Sequence, residues 1–86
     1  MGERADWTEL RDRRLAYELG RTVREMREAR GWTQTRLAEE SGMTQPGVAR
    51  FEAGGTVPTI PVLERLARAL EAELVIRLDP RALVSG

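Results

Sequence analysis

Gln45, Pro46, Gly47 and Arg50 are the residues whose types and spacing could do chemistry. In a helix over residues 45–53 they fall on the face left outward when Val48 and Phe51 turn inward. A carboxamide pairs bidentately with N6 and N7 of adenine, and a guanidinium takes a guanine edge or a phosphate. That is the face a recognition helix presents to a DNA major groove. Catalysis is poorly provided for. The chain has no His and no Cys, which excludes thiolate zinc sites, Cys nucleophiles and His-based triads or metal sites. No carboxylates are paired at catalytic spacing, and Glu39-Glu40 reads as a solvated helix end. Gly54-Gly55 lacks the Gly-Lys-Ser/Thr that would complete a phosphate-binding loop. The expectation is a binding protein rather than an enzyme, with no cofactor and no metal.

Composition bounds the rest. A chain of 86 residues makes one small domain, and 41% hydrophobic with 33% charged residues is a globular balance. The 14 basic residues are all Arg and are matched by 14 acids, for a formal net charge of zero. A zero total argues against indiscriminate nucleic-acid binding and leaves room for a local basic surface. No apolar run reaches membrane-spanning length, and the N-terminus carries no apolar signal segment. No membrane partner and a cytoplasmic location are therefore expected.

These residues need elements to position them. Leu15, Leu19, Val23 and Met26 recur at helical steps, so residues 7–30 read as one long helix, or as two joined near Gly20; one is preferred. Gly31 is a natural stop. A second helix spans 34–41, with Thr33 as N-cap and Trp32 stapled onto Leu37. Thr44 caps a third helix, from Gln45 to about Ala53, in which Pro46 falls in the first turn. Thr59 caps a fourth, over about 60–71, with Ile60, Leu63, Leu66, Ala67 and Leu70 on one face. From Ala72 the period changes: Leu74, Ile76 and Leu78 alternate with Val75 and Arg77, which signals a strand over 73–78. A lone strand leaves its backbone unpaired, so this one is expected to pair with a second copy of the chain and make a homodimer. The alternative is that it extends helix four. The core is expected from Leu19, Val23, Met26, Leu37, Ala38, Val48, Phe51, Leu63, Leu66 and Leu70.

Two short capped helices around a Gly-containing turn make a helix-turn-helix candidate. With Gln34 as first position, Leu37 is fourth, Ala38 fifth, Gly42 ninth, Met43 tenth, Val48 fifteenth and Phe51 eighteenth. Ala38 sits where the two helix axes approach, and Gly42 can take positive φ at the corner. The stretch from Arg27 to Leu70 carries Gly31-Trp32-Thr33-Gln34, Leu37-Ala38, Gly42-Met43-Thr44-Gln45, Phe51-Glu52-Ala53-Gly54 and Leu66-Ala67-Arg68-Ala69-Leu70. It resembles the phage-repressor-like (Xre, Cro/cI-type) helix-turn-helix family. The long first helix, Pro58-Thr59 and the 72–78 segment are similar to HigA-type antitoxins.

The resemblance implies an all-α, lambda-repressor-like bundle of four or five helices, with a short C-terminal β-strand for dimerisation. Residues 1–18 would be a helical extension, 19–71 the DNA-binding domain and 72–86 the dimerisation element, through Leu74, Val75, Ile76, Arg77 and Leu78. The implied function is a dimeric, sequence-specific repressor on an operator in double-stranded DNA. The alternative is a type II antitoxin that binds a protein toxin and regulates its own operon. By the family pattern Gln34 meets a phosphate and Gln45 reads a base; Thr33, Thr35 and Thr44 are candidate phosphate contacts. Pro46 and Gly47 stand where relatives often place base-contacting side chains, so affinity is expected to lean on dimerisation, Arg36, Arg50 and the Arg residues of helix one. Arg27 and Glu52 match a family pair and are expected to form a partly buried, structural ion pair.

Overall fold

A computed structural model describes the backbone of residues 2–80 and the side chains of residues 12–80. Four helices follow in order: α1 (Gly2–Ala29), α2 (Gln34–Ser41), α3 (Gln45–Glu52) and α4 (Ile60–Ala69). The three later helices are short, and each starts at a threonine whose hydroxyl accepts a backbone N–H. Thr33 accepts from Arg36, Thr44 from Gly47 and Thr59 from Val62. Each such cap stabilises its helix by about 1 kcal/mol. The corner between α2 and α3 is made by Gly42, at φ 74, where an L side chain would be strained.

α1 runs unbroken through Gly20, and its 28 residues span about 42 Å. Gly20 serves packing, not bending. A Cβ there would lie 2.3 Å from the carbonyl oxygen of Phe51 and 2.8 Å from that of Glu52. The end of α3 therefore rests directly on the α1 backbone. Gly54, just past α3, is required twice over: its φ is 75, and a Cβ would come within 2.9 Å of the Tyr17 Cα.

The core is built from Val23, Leu37, Ala38, Val48, Phe51, Leu66 and Leu70, with Leu19, Met26, Trp32, Met43 and Leu63 packed against it. Leu37, Val48 and Leu66 are almost wholly shielded from water. Each such side chain stabilises the fold by about 1.5–3 kcal/mol through burial.

Three expectations need correction. The buried stripe of α1 is offset by a residue from its leucines: Ala16, Gly20, Val23 and Arg27 face the core, while Leu15 is 52% exposed. The close approach at Gly20 sets this rotation, because only a hydrogen side chain fits against the α3 carbonyls. Ile60, expected on one face with Leu63, Leu66, Ala67 and Leu70, is likewise 54% exposed. It opens α4 on the first turn, ahead of the part that packs on α2. No strand forms among the described residues, and 73–80 has no regular secondary structure. A strand is defined by its ladder, and a single chain supplies no partner here. Residues 81–86, the rest of the expected tail, lie outside the described residues, as do the side chains of residues 1–11.

Candidate nucleic-acid interface

The site begins with a buried charge. Arg27, late in α1, grips Glu52, at the end of α3, through two parallel bonds: Nε to Oε2 at 2.6 Å and Nη2 to Oε1 at 3.0 Å. Its third nitrogen, Nη1, donates to the Trp32 carbonyl at 2.7 Å. Both residues are buried, and no buried side-chain polar atom among the described residues lacks a partner. The hydrogen bond to Glu52 holds the Arg27 guanidinium more firmly charged than a free arginine, against the opposing pull of burial. A bidentate, satisfied pair fixes the angle between α1 and α3, and breaking one half would strand the other in the interior.

The pair reaches the surface through two amides. Gln34 Nε2 donates to Glu52 Oε1 at 3.0 Å, and Gln45 Nε2 donates to Gln34 Oε1 at 2.9 Å. The order of donors follows from chemistry. An ionised Glu52 can only accept, so Gln34 must turn its nitrogen inward and its oxygen toward Gln45. Gln45 must then answer with a nitrogen. That leaves the Gln45 carbonyl oxygen and one amide hydrogen free on an exposed edge. One acceptor and one donor side by side are what adenine N6 and N7 require.

Around this edge, Thr44, Pro46 and Arg50 are exposed and Gly47 is half-buried. Pro46 lies in the first turn of α3, where it removes no helical bond. Arg50 has no carboxylate partner among the described residues, and its stem runs beside Gly55. Thr33 and Thr44 use their oxygens as caps, which leaves each hydroxyl hydrogen available to a phosphate. Thr35 is exposed on the first turn of α2. Arg36 is not brought to this edge. It lies about 200° around α2 from Gln34, bonded to Glu40 at 3.0 Å and resting 4.7 Å from the Trp32 ring centroid. Leu74, Val75, Ile76, Arg77 and Leu78 lie past α4 without regular secondary structure, with Val75, Ile76 and Leu78 strongly exposed.

Sequence reasoning missed the link from Gln34 to Glu52, and with it the anchoring of Gln45. The signal available was positional: the first residues of α2 and α3 are neighbours across a tight corner, so two glutamines there can meet. It also missed the stacking of Arg30 and Arg36 on Trp32.

Among the described residues no helix is long and apolar enough to cross a membrane, and no cluster of acidic residues could hold a metal. Residues 18–78 match a family described as a helix-turn-helix domain. The chain is 30% identical over 66 residues to the HTH-type transcriptional regulator SutR of Escherichia coli, covering 77% of this chain and 37% of that protein. It is 33% identical over 57 residues to the competence pilus inhibition repressor of Acinetobacter baylyi, covering 66% of this chain and 52% of the repressor. A putative HTH-type regulatory protein of Pyrococcus furiosus is 37% identical over 60 residues, 70% of this chain and 19% of that one. The chain thus spans between about a fifth and a half of the length of these curated relatives. Among solved structures, the restriction-modification controller protein C.AhdI from Aeromonas hydrophila superposes with a TM-score of 0.66 at 33% identity, covering 67% of this chain and 88% of C.AhdI. The capped helix pair, the glycine corner, the matched residues and the shared fold lead to one assignment: this chain belongs to the Xre-type helix-turn-helix family of DNA-binding regulators.

Proposed function

We propose that the chain is a cytoplasmic, non-enzymatic transcriptional repressor that binds a specific operator as a homodimer. The observation that carries this reading is the amide edge of Gln45, held through Gln34 by the buried Arg27–Glu52 pair. An orienting network of this kind removes the rotamer freedom that a solvated glutamine would lose on binding. In this reading α3 lies in the major groove. Gln45 reads a base, and Arg50 takes a guanine or a phosphate. Thr33, Thr35 and Thr44 fix the register on the backbone. Residues 19–71 form the DNA-binding unit, 1–18 a helical extension and 72–86 the dimerisation element.

The dimer is supported by Val75, Ile76 and Leu78, apolar side chains that stand exposed past α4 and would be covered by a second copy. Two recognition helices about 34 Å apart then reach successive major grooves. The repressor reading is preferred to the antitoxin one because a relative in the comparison is itself a repressor. The test is fluorescence anisotropy on duplexes from the region upstream of its own gene, at several salt concentrations. Preferential binding over scrambled duplexes, lost in Gln45→Ala, is expected. Equal affinity for both duplexes would refute the proposal.

A further inference from the structure

A groove of about 520 Å³ opens between the end of α1, α2 and α4, away from the Gln45 edge. Its lining is net basic in a chain of zero net charge. Arg30, Arg36, Arg65 and Arg68 line it, against Glu40 and Glu71. Two of the four guanidinium groups are held in place. Arg30 bonds Glu71 at 2.8 Å and lies 5.2 Å from the Trp32 ring centroid. Arg36 bonds Glu40 and shares the same ring. The other two, Arg65 and Arg68, stand nearly one turn apart on α4, exposed, with no carboxylate at ion-pair distance among the described residues.

The rim also carries strain. Glu71 adopts φ 55, a left-handed backbone that strains a non-glycine residue. A glycine would end α4 without that strain. The carboxylate retained at this position is the one that holds Arg30 across the groove.

We propose that this groove binds a small oligophosphate, a molecule carrying two or more linked phosphoryl groups. Guanidinium forks match phosphoryl oxygens bidentately, and the donors of Arg30 and Arg36 left over from Glu71 and Glu40 lie beside two arginines with no carboxylate partner. A single phosphate would engage one arginine pair. A linked chain of phosphoryl groups suits a groove that both pairs line. Arg36 faces away from Gln34 around α2, which turns its guanidinium from the Gln45 edge.

The test is calorimetric titration of the full chain with inorganic triphosphate and, separately, with adenosine triphosphate. Saturable binding of at least one is expected, weakened about tenfold or more in the Arg65→Gln, Arg68→Gln double variant. That variant should keep its circular dichroism spectrum, since both side chains are exposed. Tighter binding of the nucleotide makes a nucleotide the source; equal binding makes it the free oligophosphate. No saturable heat with either, or undiminished binding in the variant, overturns the proposal. So does a parallel loss of DNA affinity in the variant, which would make the groove a duplex contact. The titration contains no DNA, so its failure would leave the repressor reading standing.

Discussion

Replacing Glu52 by Ala is expected to cost about 3–5 kcal/mol of folding stability. The magnitude follows from what the substitution strands. Arg27 is 8% exposed and loses both bonds to Glu52, keeping only the Trp32 carbonyl. Gln34 loses its acceptor as well. Domains of this size hold roughly 5–15 kcal/mol in all, so the variant should sit near the edge of folding. Urea unfolding followed by far-UV circular dichroism reads the loss as a midpoint lowered by about 2 M or more. Arg27→Met alone should also be costly, because it leaves a buried carboxylate. The double variant Arg27→Met, Glu52→Leu should lose less than either single one, since a buried pair replaced by apolar groups strands no charge. A Glu52→Ala variant within about 0.5 kcal/mol of the parent would refute the reasoning. So would a double variant less stable than both single ones.

Other outcomes follow from the same geometry. Gly20→Ala should destabilise by about 1–3 kcal/mol in urea unfolding despite the higher helix propensity of Ala, because its Cβ would meet the Phe51 carbonyl oxygen at 2.3 Å; a stabilised variant would contradict the close approach. Gly42→Ala should cost about 1–2 kcal/mol through its positive φ alone, as nothing lies within 4 Å of the added Cβ, and Gly42→Asn should cost less by the same measurement. Thr44→Ala should lower stability by about 1 kcal/mol through loss of the α3 cap, read as a shift in thermal midpoint. Gln34→Ala should weaken discrimination at the base read by Gln45, because the Gln45 amide loses its anchor; unchanged base preference in a binding competition would refute that link.

The starts of the three short helices were legible because Thr33, Thr44 and Thr59 announce them and Gly42 the corner, whereas α1 begins at Gly2 and not at the expected residue 7. The short helices therefore begin where their caps place them. The rotation of α1 was less legible. Of its predicted stripe, Val23 is buried and Leu19 and Met26 pack against the core, while Leu15 is exposed and Ala16, Gly20 and Arg27 are buried instead. Hydrophobic periodicity weights large side chains, and this contact is set by the smallest one. Gly20 read as a helix weakness because propensity counts only the local backbone, while its reason lies in the carbonyls of α3. The 73–78 segment carries a strand pattern whose ladder needs a second backbone, so the alternation alone could not decide its structure. At the site, residue types marked Gln45 and Arg50 as outward. The chain of bonds from Arg27 through Glu52 and Gln34 to Gln45 depends on side-chain reach across three helices, which one-dimensional spacing does not hold.

The central claim is that an anchored amide on α3 reads duplex sequence. Selection of bound duplexes from a random library by the full chain tests it most directly, run beside the Gln45→Ala, Arg50→Ala variant. The account predicts one enriched motif with adenine at a fixed position, and loss of that preference in a variant that still folds. No enrichment over the starting library, or the same motif from the variant, would contradict it.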